Sequence, residues 1–179
     1  GTAAEVLDFL QWYDQLDFTH KDFIAGNHDF FFEKTPAAKI AELIPPSITY
    51  LNDSGVTIEG IKIWGSPIQP WFLDWAFNRQ RGTDIRKHWD LIPSDTDILV
   101  THGPPMGIQD QTFRGASVGC VDLLEKVKAT QIKVHAFGHI HEAYGQATVE
   151  GVQYINASVL NLRYQMSNDP IVLSFPLAG

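Results

Sequence analysis

Apolar residues recur at helical spacing from the first turn of the chain. Val6, Phe9, Leu10, Tyr13 and Leu16 or Phe18 follow Thr2 and Glu5, a pair three residues apart that reads as a capping box, so the pattern predicts an opening helix. A second helix is predicted from Thr35 as N-cap, with Pro36 at its first position and Pro45-Pro46 as its stop. A third is predicted over 118–129, and shorter ones over 71–78 and 84–91. Short apolar runs between them predict strands at 22–25, 47–51, 56–58, 61–64, 98–101, 134–137, 148–149, 152–156 and 171–175. Glu59-Gly60 and Glu150-Gly151 each sit between two such runs, the mark of a hairpin with a two-residue turn. Helices and strands alternate early and hairpins come late. That order predicts an α/β (α+β) fold with mixed sheets and helices outside.

Three of the apolar runs end in polar residues. One leads into Asn27-His28-Asp29, one into His102-Gly103-Pro104-Pro105, and one into Gly138-His139-Ile140-His141. Near-continuous apolar strands of this kind belong to parallel sheets buried on both faces, where ligands bind beyond the carboxyl ends of the strands. A single crevice is therefore predicted to gather Asn27, His28, Asp29, His102, His139 and His141. On extended backbone His139 and His141 would share a side, and His28 would point away from Asn27, free for proton transfer. Imidazoles with amide and carboxylate oxygens, and no thiolates, suit manganese, iron, zinc or cobalt. Two unrelated surface imidazoles are the plain alternative for an isolated His-x-His; convergence of three strand ends argues against it.

Composition narrows the ligand. The 179 residues are 44% apolar and 19% charged, which fits one globular domain spanning 1–179. Thirteen Lys and Arg against 21 Asp and Glu leave a net charge of −8, a poor balance for a long nucleic acid. A small phosphate ligand remains open if metal ions neutralise it. The lone Cys120 rules out an internal disulfide, so the expected compartment is cytoplasmic, and no window has the length and apolarity of a membrane span.

These motifs carry a resemblance. Gly26-Asn27-His28-Asp29, Thr101-His102-Gly103-Pro104-Pro105 and Gly138-His139-Ile140-His141 resemble the third, fourth and fifth motifs of the calcineurin-like metallophosphoesterase superfamily. Ile63–Pro67, Asp74–Asn78, Gly119–Leu124 and Tyr154–Ser158 are similar to its metallophosphoesterase-domain-containing branch, described as cyclic-nucleotide phosphodiesterases. The resemblance implies a four-layer α/β/β/α sandwich, two mixed sheets flanked by helices, holding two divalent ions (Mn, Fe or Zn). It also implies that Asn27, His102 and His139 bind one metal and His141 the other, with His28 and Asp29 in the catalytic loop. His28 would protonate the leaving group or stabilise phosphate charge. A hydroxide between ions roughly 3.5–4 Å apart would be the nucleophile.

The family pattern opens with an Asp-x-His and a Gly-Asp that these residues do not include. The chain thus reads as N-terminally truncated, with one ion or none in place of two, and with open sheet edges that invite self-association. Three functional readings stay open: a phosphodiesterase for nucleotides or other small phosphodiesters, a fragment that binds metal or nucleotide without turnover, or a phosphomonoesterase of the same superfamily. Trp71, Phe72 and Trp75 are expected beside the crevice or as a cap on the core. Arg114, with Arg79 and Arg81, is a candidate phosphate contact. His135 reads as a core histidine, Cys120 as packing, and Asn156-Ala157-Ser158 as a glycosylation pattern in a buried strand.

Overall fold

The structure is a computed structural model and describes residues 1–175. Helix α1 (Ala3–Asp14) begins with the capping box expected from sequence, Thr2 and Glu5 satisfying each other's backbone N–H groups. It leads to strand β1 (Lys21–Phe23), the short helix α2 (Phe30–Lys34), α3 (Ala37–Leu43) and strand β2 (Ile48–Tyr50). Strands β3 (Ser54–Ile58) and β4 (Ile61–Ser66) form the first Glu-Gly hairpin. Then come the two-residue strands β5 (Gln69–Pro70) and β6 (Asn78–Arg79), helix α4 (Thr83–Trp89), β7 (Ile98–Thr101), α5 (Val121–Lys128) and β8 (Val134–Phe137). The hairpin of β9 (Gly145–Val149) and β10 (Val152–Asn156) is the last regular element among the described residues.

Among the described residues the strands form a six-stranded mixed sheet, order β3-β4-β7-β8-β10-β9, a two-stranded parallel sheet of β1 and β2, and a short parallel pair of β5 and β6. Strands β4, β7, β8 and β10 run parallel, and an antiparallel hairpin closes each edge. Both hairpin turns have positive φ at both central residues, 50° and 84° at Glu59-Gly60 and 51° and 84° at Glu150-Gly151. Those dihedral signs are what a two-residue turn needs to match strand twist, and glycine supplies the second without strain. The sheets meet at Gly65 on β4, where a Cβ would lie 2.4 Å from Leu51 Cβ and 2.8 Å from Ile24 Cγ2. No residue with a side chain fits there without pushing them apart.

Aromatic rings hold the small sheet. Phe23 stacks on Tyr50 at 5.0 Å and meets Phe9 at 5.3 Å and Phe32 at 5.6 Å edge-on, tying β1 to α1, α2 and β2. Helices α4 and α5 are joined by the buried Asp122, which accepts from Arg86 Nε at 2.7 Å and from the Gly82 N–H at 3.0 Å.

Three expectations change. Residues 71–78 are turns leading into β6, because Asn78 is buried and bonds back to Phe72 and Leu73 carbonyls in place of a helical ladder. The third helix starts at Val121, since Gly119 lies against Pro105, where a Cβ would sit 2.3 Å from its carbonyl oxygen. Residues 171–175 are irregular and not a strand. No helix among the described residues is long and apolar enough to cross a membrane.

Candidate active site

Each chemical cluster lies just past a strand, but none of the three continues as extended backbone. After β1 the chain turns at once: the Asp29 N–H donates to the Gly26 carbonyl at 3.0 Å and Asp29 Oδ2 accepts from the Gly26 N–H at 2.7 Å. Within that turn Asn27 is buried and His28 is exposed. The opposition expected of the two side chains is thus produced by a turn and not by strand alternation. Asp29 lines the cavity while one of its carboxylate oxygens closes the loop.

His102 follows β7 directly. Its backbone N–H donates to the Ser66 carbonyl of β4 at 3.3 Å and its carbonyl accepts from Gly138 at 3.0 Å. After β8 the chain pivots sharply: His139 has φ +71°, and the Ile140 N–H reaches back to the Gly138 carbonyl at 2.8 Å. His141 then opens a single 3₁₀ turn through Ala143. The extended His-x-His geometry expected from sequence is overturned, because a γ-turn in place of a strand brings both imidazoles to one cavity. A non-glycine residue in the left-handed region is strained, and such strain concentrates at functional loops.

The site's centre is compact. His102 Nε2 lies 2.8 Å from Asn27 Oδ1 and 3.1 Å from His139 Nδ1. Donor atoms on adjacent positions of an ion at ~2.1 Å would be about 3.0 Å apart, so these separations suit a shared divalent ion. Among the described residues no three His, Cys, Asp or Glu side chains converge on a metal position. The cluster reaches three donors only by including the Asn27 amide, and all three are neutral. Burial, and then the neighbouring His139, His28 and His141, hold His102 well below the usual imidazole pKa. Burial first, with His141 and His28 adding to it, lowers His139 to about 4. Imidazoles kept unprotonated are in the form that binds metal.

His141 stands beside this centre. Its Nδ1 donates to the Asn161 carbonyl at 2.9 Å, which leaves Nε2 with its lone pair. Asn27, His28, Asp29, His102, His139 and His141 all line one cavity of ≈ 450 Å³, the crevice expected from the three strand ends.

The rest of the lining was less legible. Trp75 is there, 5.4 Å from the His28 ring and 5.7 Å from the His139 ring, centre to centre. Phe72 reaches the site only through Trp75, at 5.3 Å, and Trp71 is exposed outside the lining. Arg114 is exposed over the Phe113 ring and does not line the cavity. Leu160, Leu162 and Tyr164 also line it, and sequence reasoning did not single them out. Asn161 lies within that segment, and asparagine is a turn-forming residue that could have drawn attention to it. Asn156 is fully buried and braces the loop between the two histidines, its Nδ2 donating to the Ile140 carbonyl at 2.8 Å.

Residues 4–143 match the family model of the calcineurin-like phosphoesterases. The chain belongs to that family. It is 40% identical to human and mouse "Metallophosphoesterase domain-containing protein 1", over 98% of this chain and 61% of each relative. The chain thus spans about three fifths of the length of those curated relatives. The crystal structure of TT1561 of Thermus thermophilus superposes with a TM-score of 0.56 over 91% of this chain and 76% of that one, at 12% identity, a likeness of fold alone.

Proposed function

We propose that the protein is a metal-dependent phosphodiesterase acting on nucleotides or other small phosphodiesters. The observation that carries this reading is the approach of Asn27 Oδ1 and His139 Nδ1 to His102 Nε2, at 2.8 Å and 3.1 Å, in a family of phosphoesterases. These three would hold one divalent ion, and His141 Nε2 is the side chain offered to a second. When bound, such ions offset the phosphate charge, polarise its oxygens and lower the pKa of water. No carboxylate and no Lys or Arg stands among the three donors, so a phosphate meets no negative ligand charge there.

The chain's own side chains supply the remaining roles. His28 is exposed in the cavity with Trp75 against it, placed to hand a proton to the leaving oxygen. Asp29 fixes the loop that carries His28 through its bond to Gly26. Asn161 sets the His141 tautomer, so that Nε2 is the free nitrogen.

Elemental analysis after loading with manganese or zinc, run beside hydrolysis of matched phosphodiester and phosphomonoester substrates, tests the reading. Metal retention with diester turnover supports it, and His28→Ala should then lower kcat by about 10²-fold or more with metal content kept. Unchanged turnover in His28→Ala and His102→Ala would overturn it. A monoester preference moves the activity to phosphomonoesters. A second reading, binding without turnover, is favoured by the three-donor count; nucleotide affinity with no product formed would select it.

A further inference from the structure

We infer that His88 is a pH-sensitive clasp on the loop that carries Trp75: neutral, it holds Arg79 and with it that loop; protonated, it lets Arg79 go. The inference concerns how one wall of the cleft is held, and it stands whatever the cleft acts on.

Trp75 lines the cavity from residues 71–77, a run of turns between β5 and β6. Those two strands pair, and the Trp71 N–H donates to the Arg79 carbonyl at 2.8 Å, so the ends of the loop are tied together. The Arg79 side chain ties that pair to the helices. Its Nε–H donates to His88 Nε2 of α4 at 3.0 Å. Its Nη1 donates to the Asn78 carbonyl at 2.8 Å and lies 3.7 Å from Glu33 Oε1 of α2. The same Glu33 oxygen accepts from the Phe77 N–H at 2.9 Å.

The tautomer of His88 follows from its neighbours. A guanidinium only donates, so Nε2 carries a lone pair and the ring proton sits on Nδ1. Nδ1 lies 2.6 Å from Asp53 Oδ2, an acceptor. Asp53 is itself fixed, because its Oδ1 accepts from the hydroxyl of the buried Ser66 at 2.6 Å. The ring is therefore held between an acceptor that serves both of its protonation states and a donor that needs the neutral one. Its side chain is 21% exposed, so a proton from solvent reaches it. A proton on Nε2 sets two N–H donors and two positive charges against each other across 3.0 Å, and the bond to Arg79 is lost. Glu33 remains as the partner of the freed guanidinium, and β6 loses its tie to α4. Among the described residues the charged groups facing His88 are Asp53 and Arg79, with Glu33 behind Arg79. On α4 itself, Asp84 and Lys87 pair with each other at 3.8 Å.

Hydrogen exchange of the full chain at pH 8 and pH 5, either side of the ordinary imidazole range, tests the clasp. The amides to follow are those of Trp71 and Phe77, corrected for the intrinsic pH dependence of exchange. Their protection is expected to fall about 10-fold at pH 5, the loss of one hydrogen bond to a charged group. His28 and His139 also touch Trp75, so variants must show which imidazole acts. His88→Gln keeps an acceptor for Arg79 and takes up no proton; its protection should match the parent at pH 8 and hold at pH 5. Arg79→Met removes the bond and should give the lower protection at both values. Equal protection of the parent at both values overturns the inference. So does a parental drop that persists in His88→Gln or in Arg79→Met, which would assign the effect to the imidazoles of the cleft.

Discussion

The wall of the cleft that carries His102 and His139 stands on β7 and β8, each hydrogen-bonded to a neighbour on both sides. The wall that carries Asn27 and His28 stands on β1, three residues paired among the described residues with β2 alone. Registers such as Leu99 with His135 and Ile155 with Ala136 fix the first wall through backbone ladders. Rings fix the second: Phe9, Phe23, Phe32 and Tyr50 around β1. The walls are coupled at few points. Gly65 sits against Ile24 and Leu51, Gly26 sits against the His102 ring, and Ala76 N–H bonds to the Asn27 carbonyl. A site split between a ladder and an aromatic cluster has one half set by register and another set by packing, and the two halves should fail differently.

The largest failure is expected where the walls touch. A Cβ on Gly26 would lie 2.7 Å from His102 Cε1 and 2.8 Å from Nδ1, and that imidazole is enclosed between Asn27 and His139. Gly26→Ala should therefore push the ring off its two partners, abolish metal retention and lower any turnover by at least about 10²-fold. Gly138→Ala, beside His139 in the chain, is the control. Its Cβ would first meet Ser158 Oγ at 3.5 Å, an ordinary contact, so metal content should stay near that of the parent. Equal loss in both would mean the walls are not coupled as described.

A smaller, one-sided failure is expected from Phe23→Ala. Removing that ring takes away contacts with Phe9, Phe32 and Tyr50 together and should cost about 3 kcal/mol by urea unfolding. The difference between the walls makes a sharper statement available by hydrogen exchange. Amides of β1 and β2 should exchange faster in the variant while those of β7 and β8 change little, because the ladder does not depend on the rings. Uniform acceleration would mean that both walls open as one unit.

What the sequence made legible follows the same division. Strands β7 and β8 read clearly because near-continuous apolar runs leave an unmistakable trace, and both Glu-Gly turns read from two residues each. The residues that converge on the cavity, Asn27 and the three histidines among them, were also visible, as strand ends. The backbone that brings them together was not. A γ-turn at His139 and the hydrogen-bonded turn at Gly26–Asp29 are local decisions taken by tertiary contacts, and periodicity carries no record of them. Asn161 stayed hidden for a related reason: it meets the site through its carbonyl, which accepts from His141, twenty residues away in the chain. The helix predicted over 71–78 failed because buried Asn78 captured the carbonyls that a helix would have used.

The smallest effect contrasts the two ends of β8. His139 at one end faces the cavity, whereas His135 at the other is fully buried, its Nε2–H donating to Thr101 Oγ1 at 2.8 Å while that hydroxyl donates to the Gly103 carbonyl at 2.8 Å. Burial alone pushes His135 down to about 3, so it is neutral in the folded protein across the working range. In the unfolded chain it takes up a proton near pH 6.5. The unfolded state therefore binds the proton first, and the stability that His135 contributes is complete above about pH 6.5 and falls as pH drops toward 3. Between pH 7 and pH 5 that amounts to about 2 kcal/mol from this one group. Asp97, held low by Lys133 and the Lys62 N–H, acts only below the ordinary carboxylate pKa and leaves this window clear. Urea unfolding at pH 7 and pH 5 should show the drop, and His135→Phe should lower stability at both values yet shrink the difference by this group's share, leaving the part that His102 and His139, also depressed by burial, contribute. A pH slope unchanged in His135→Phe would move the effect to the other end of the strand, onto the site itself.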